Sequence, residues 1–180
     1  MNTKREQLGI HTSVKGLNRR QILWLTATGL TVAVLLLVAF LPPFVGADAR
    51  ELIMRAFRNV CHQLPSRSFH IGTSQVALCH RCVGIYAALP PALILFSILR
   101  QWDGLLSRYP LQIIAASLVP LAVDWGADLV GLWANTPVSR LVTGAIFGVV
   151  AGYHLARGVV KAAGAQQIEV RGASAEAVGR

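Results

Sequence analysis

Acidic residues are scarce in this chain: eight Asp and Glu stand against seventeen Lys and Arg in 180 residues, and both signs together reach only 14%. A soluble domain carries about a quarter charged residues, so the composition excludes a water-facing surface over the whole molecule. Lysine-rich patches with interleaved aromatics are absent too, and the net charge of +9 therefore does not imply a nucleic-acid partner. There is no glycine-rich nucleotide fingerprint and no Ser-His-Asp pattern. Val83 follows Cys82, which excludes a C-x-x-C-H haem attachment. Cysteine is rare as well: there are three, two of them spaced as C-x-x-C.

Apolar sequence is what the chain has in abundance, with 54% hydrophobic residues and a mean hydropathy of +0.53. A helix needs about twenty apolar residues to cross a bilayer. Four runs reach that length, at about 22–44, 74–99, 110–133 and 137–160. The expected fold class is an all-α membrane protein with four transmembrane helices, with polar or Ala/Gly-rich flexible tails over 1–20 and 162–180. The first run is too long for a signal-peptide core, although Ala47-Asp48-Ala49 resembles a cleavage site, and reads as an uncleaved anchor. Between the first two runs, residues 49–61 place Leu52, Ile53, Ala56, Phe57 and Val60 on one stripe with arginines opposite. This predicts a short amphipathic helix lying in the membrane interface. Gly72-Thr73-Ser74 reads as the cap of the second span. Gly144, Gly148 and Gly152 form a small-residue stripe for close helix packing.

The basic residues give an orientation. Lys4, Arg5, Lys15, Arg19 and Arg20 precede the first span, Arg100 and Arg108 lie between the second and third, and Arg157, Lys161, Arg171 and Arg180 follow the fourth. Arg50, Arg55, Arg58, Arg67 and Arg140 fall on the other side. The positive-inside rule then places both termini in the cytoplasm of a cell whose inner (plasma) membrane holds the chain. Trp24, Trp102, Tyr109 and Trp133 stand where interfacial aromatic belts belong.

Mapped on this topology, the chemically distinctive residues gather at the outer side. Cys61 and His62 end the interfacial helix. Cys79, His80, Arg81 and Cys82 open the second span. Asp124 and Asp128 close the third, and Asn135 and Arg140 flank the fourth. At 1.5 Å per residue, Cys82 and Asp124 lie about 12–14 Å inside these expected spans. Ions at such depth need partners inside the bundle. The two acids with Arg81 and Arg140 therefore suit a structural salt-bridge cluster, and equally a site in which one acid is ligand or proton carrier. Cys79 and Cys82 share a helical face at i, i+3. With Cys61, and with His62, His80 or Asp124 to complete the set, they suit zinc, which favours Cys and His in tetrahedral groups. A thiol–disulfide site exchanging electrons with a quinone fits the same residues, since a C-x-x-C at a helix N-terminus beside Arg81 favours the thiolate. A third possibility is an ion- or proton-coupled transporter using Asp124 and Asp128.

The runs Cys61-His62-Gln63-Leu64-Pro65-Ser66-Arg67-Ser68-Phe69 and Cys79-His80-Arg81-Cys82-Val83-Gly84-Ile85-Tyr86 resemble motifs of a prokaryotic family of predicted membrane proteins, domain of unknown function 2085. The resemblance covers about residues 55 to 150. It implies supporting roles for Gln63, Arg67, Arg81 and Tyr86. Asp124 matches the family's acid late in the following span, and Asn135, Arg140, Thr143 and Gly144 match its N…R-x-x-T-G segment. Where the family often has Gly and then Gln after that acid, this chain has Trp125, Gly126 and Asp128. The resemblance implies no particular activity.

Overall fold

The computed structural model describes residues 16–100 and 103–178. Lys4, Arg5, Lys15, Trp102 and Arg180, used above for orientation and the aromatic belt, lie outside the described residues. Helix α1 (Arg19–Ala39) opens on a capping box in which Asn18 Oδ1 accepts from the Gln21 N–H and Gln21 Oε1 accepts from that of Asn18. A 3₁₀ turn, Pro42–Phe44, leads to α2 (Ala47–Phe57). The chain then forms strands β1 (Ser68–Ile71) and β2 (Ser74–Cys79), which pair antiparallel. Four more helices follow: α3 (His80–Leu99), the single turn α4 (Asp103–Leu106), α5 (Pro110–Leu129) and α6 (Pro137–Val178). Four of these helices, α1, α3, α5 and α6, are long and apolar enough to cross a membrane. The chain is an all-α membrane protein with one small hairpin at one end.

Several boundaries differ from the sequence reading: the first span ends at Ala39 rather than near residue 44, the interfacial helix at Phe57 rather than 61, and the third span at Leu129 rather than near 133. Residues 74–79, assigned above to the second span, form β2, and the helix begins at His80. Gly72 is not a helix cap; it takes a positive φ of 61° in the two-residue turn joining the strands. The alternation of Val76, Ala77 and Leu78 is invisible to a hydropathy window because all three are apolar and all three are buried. At the other end the last helix does not stop near residue 160 but continues to Val178. Its Ala-rich sequence has high helix propensity and no proline to end it.

The molecule is apolar on the outside. Leu37, Ile94 and Leu111 are each more than 60% exposed, as lipid-facing residues must be. Packing specificity comes from small residues, because apolar burial drives no association between helices already in lipid. α3 and α6 form the tightest pair. A Cβ on Gly84 would stand 2.2 Å from the Leu141 carbonyl oxygen, and one on Gly144 would stand 2.3 Å from that of Arg81. Gly148 and Gly152 make similar approaches to Ile85 and Ala92. The stripe read from sequence thus meets α3, and Gly84 answers it from the facing helix. α1 closes over this pair through Leu25, which packs with Leu93, Phe96, Tyr153 and Ala156. α5 leans on α6 and scarcely touches α3.

Gly84→Ala is therefore expected to lower thermal stability in detergent, by about 1–3 kcal/mol for overpacking against backbone. Gly126→Ala, in a helix with open space around the added Cβ, serves as the control and should be neutral or slightly stabilising. Equal melting temperatures for the two variants would refute this account of the α3–α6 contact.

Candidate metal centre

Two stretches of chain supply the cysteines, the second at a strand–helix junction. Cys61 lies in the loop after α2, Cys79 is the last residue of β2 and the N-cap of α3, and Cys82 sits in the first turn of that helix. The loop carrying Cys61 is held by Gln63, a non-glycine residue at φ 51°. Such a backbone costs about 1–3 kcal/mol and persists only where its surroundings determine it. Here the surroundings are specific. Gln63 Nε2 donates to the carbonyls of Met54 (2.8 Å) and Ala77 (3.0 Å), and Gln75 Nε2 donates to the Gln63 carbonyl (2.7 Å). The side chain thereby clips the loop between α2 and the hairpin.

This clip aims two backbone donors at one sulfur. The N–H groups of Cys79 (3.2 Å) and Gln63 (3.5 Å) both point at Sγ of Cys61, which is 3% exposed. Cys82 Sγ lies 3.9 Å from the Val60 carbonyl. The sulfurs of Cys61, Cys79 and Cys82 all lie within 4.8 Å of one another, and all three are free thiols. The Cys79 thiol is pulled down to about 2, chiefly by side-chain hydrogen bonds from Cys61 and then Cys82, which outweigh the cost of burial. The backbone N–H groups of Cys82 and Arg81, at the start of α3, add to the effect. Cys61 moves the other way, first because it is the donor in the bond to Cys79.

Among the described residues, the group of mutually close ligand atoms around the sulfurs includes neither His62, His80 nor Asp124. His62 is exposed, at the rim of an adjoining cavity of about 430 Å³. His80 is buried, its ring edge-on to Phe69 with centroids 4.4 Å apart. Asp124 is engaged elsewhere. Its Oδ2 accepts from Arg81 Nη2 at 2.6 Å in a pair with side chains 7% and 14% exposed.

The remaining supporting residues form a polar layer beside this pair. Arg67 approaches Asp128 at 3.6 Å, and the Asn135 N–H donates to Asp128 Oδ1 at 3.2 Å. Asn135 Nδ2 donates to the Asp124 carbonyl, while its Oδ1 accepts from Arg140 Nε at 2.7 Å. Arg67, Arg81 and Arg140 line the cavity together with Cys79 and Cys82, and Leu64, Ile85, Leu121 and Trp125 supply its apolar wall. Tyr86 packs against the buried cluster that contains Cys61. The fold thus brings the distinctive residues of the sequence to one end of the bundle. They stand nearer the helix ends than expected, because the hairpin takes up the residues assigned to the start of the second span and the third ends at Leu129 rather than near 133. Cys82 lies in the first turn of its helix, and Asp124 stands five residues, about 7.5 Å, from the end of α5.

Some contributors had no signal in the sequence. Gln75 pins Gln63, and Trp125 walls the cavity, yet neither belongs to a recognisable chemical pattern. At the opposite end of the bundle, Asp103 accepts from the Tyr153 hydroxyl and pairs with Arg157 at 3.0 Å, fastening the α3–α5 connection to α6. Asp103 lies in an inter-span loop, so only the three-dimensional contact shows its role.

Fold and site together define a helical membrane protein with a three-cysteine cluster at one end of its bundle. The family model described as "Predicted membrane protein (DUF2085)" matches residues 61–154, just over half of the chain, and the chain belongs to that family. Every residue of the cysteine cluster and its polar layer lies inside the matched segment. An uncharacterized protein of the archaeon Methanocaldococcus jannaschii is 36% identical over 89 residues, a match covering 49% of this chain and 56% of that relative. No solved structure matches the chain significantly.

Proposed function

We propose that Cys61, Cys79 and Cys82 hold a divalent metal ion, zinc by donor type, in a site at the outer face of the inner membrane. The observation that carries this reading is the convergence of three sulfurs from two distant stretches of chain within 4.8 Å of one another. Tetrahedral zinc with Zn–S bonds of about 2.3 Å needs sulfurs about 3.8 Å apart, so the cluster requires only a small contraction. The backbone N–H groups aimed at Cys61 Sγ suit a thiolate better than a thiol.

Charge supports the same reading. Arg67, Arg81 and Arg140 face only two carboxylates, Asp124 and Asp128, across the polar layer. A divalent ion on three thiolates carries one net negative charge and offsets the surplus guanidinium. The fourth position would open towards the cavity, within reach of His62 at its rim or of water. An open position is the mark of a zinc site that does more than brace the fold.

Metal analysis of the purified protein, with thiols counted under denaturing, non-reducing conditions, tests the proposal. About one zinc per chain with three thiols is expected. A disulfide without metal would sink it in favour of thiol–disulfide exchange. A reporter fused after Trp133 tests the sidedness, which rests on the basic residues flanking the spans: activity on the cytoplasmic side would reverse the orientation.

A further inference from the structure

We infer that the cleft between α3 and α5 takes a singly charged anionic phospholipid from the surrounding leaflet. Its phosphodiester lies among Arg67, Arg81 and Arg140, and the upper part of its chains runs along Ile85, Leu121 and Trp125. This goes beyond the metal reading and does not need the ion.

Four observations carry it. The cavity of about 430 Å³ falls in the range of ligand sites, about 300–1,000 Å³, and holds a headgroup with the first part of its chains. Its polar wall is made almost entirely of donors. Arg81 gives an Nη2 hydrogen to Asp124, Arg67 only approaches Asp128 at 3.6 Å and Arg140 gives its Nε hydrogen to Asn135, while Arg81 Nε is buried with no partner. Guanidiniums match phosphate oxygens in charge and in fork geometry. The cleft also faces the bilayer, since α5 packs on α6 and scarcely touches α3, and Trp125 is 48% exposed beside the opening. Finally, the guanidiniums stand near helix ends, at the depth where headgroups lie. The three guanidiniums exceed the two carboxylates by one charge, which a monoanion neutralises where no ion is bound and a dianionic phosphate monoester exceeds.

The test is native mass spectrometry of the full chain in dodecyl maltoside with added phosphatidylglycerol, phosphatidylcholine or inorganic phosphate. One phosphatidylglycerol should be retained per chain, about tenfold or more in preference to phosphatidylcholine. Arg140→Gln should reduce that retention about tenfold. Leu121→Trp, which fills the chain-binding part and leaves every guanidinium in place, should abolish it and stands as the test if Arg140→Gln fails to fold. Equal retention of the two lipids, or retention of phosphatidylglycerol undiminished in Leu121→Trp, would overturn the inference. Inorganic phosphate bound as tightly as the lipid would also overturn it, since the site would then be one for free anions. Metal content measured on the same samples keeps the two readings apart. Stoichiometric zinc without lipid preference sinks this inference alone, and lipid preference without metal sinks the metal reading alone.

Discussion

Serine in place of Cys61, Cys79 or Cys82 should strip the protein of metal, from about one ion per chain to a small fraction of that. The magnitude follows from what such a site is worth. Structural zinc binds with about 10–16 kcal/mol shared among four ligands, so one lost thiolate costs about 3 kcal/mol, or about a hundredfold in affinity. Cys61→Ser should be the most damaging of the three. Its sulfur is 3% exposed and accepts two backbone N–H groups, so the substitution also loosens the junction between the Gln63 loop and the start of α3. His62→Ala should lose far less, because His62 is exposed at the cavity rim, where water can take the fourth position. Metal content by elemental analysis, with melting temperature in parallel, checks these expectations. If all three serine variants kept the wild-type metal content, the bound ion would lie elsewhere. If the cysteines were only small buried hydrophobes, Cys82→Ala would leave both measurements unchanged.

How far this centre could be read from sequence depends on what kind of signal each part leaves. The four spans follow from length and apolarity, which lipid imposes directly on composition. The cysteine cluster follows from residue type: C-x-x-C beside a third Cys is rare enough to stand out, and the topology brings both to one end. Gln63 and Arg81 were marked by the family resemblance, although their tasks, clipping a strained loop and neutralising Asp124, needed coordinates. The hairpin leaves no distinct signal, because Gly72-Thr73 can open a helix or turn a strand, and the apolar run after it fits a helix equally well. The depth of the site follows from this boundary and from the end of α5 at Leu129. Cys82 falls in the first turn of α3 and Asp124 five residues from the end of α5, rather than about 12–14 Å inside the expected spans.

Breaking the Arg81–Asp124 pair is the second large effect to expect, and its pattern is more telling than its size. Oδ2 and Nη2 are 2.6 Å apart with both side chains largely buried, so removing one partner leaves an uncompensated charge. Asp124→Leu and Arg81→Met should each cost about 3–5 kcal/mol. The double variant Arg81→Met with Asp124→Leu removes both charges and should recover much of that loss, because apolar residues at a helix–lipid boundary carry no desolvation penalty. The pair has a further task that stability alone would not reveal. It joins α3 to α5 across the cleft that these helices otherwise leave open, next to the Cys82 that would hold the ion. The double variant should therefore regain its melting temperature without regaining full metal retention, since the two walls of its cleft are no longer joined by an ion pair. Melting curves and metal content on all four proteins decide this. Additive losses in the double variant would show that the two charges do not act on each other. Full recovery of both properties would reduce the pair to a structural fastening, with no bearing on the metal centre.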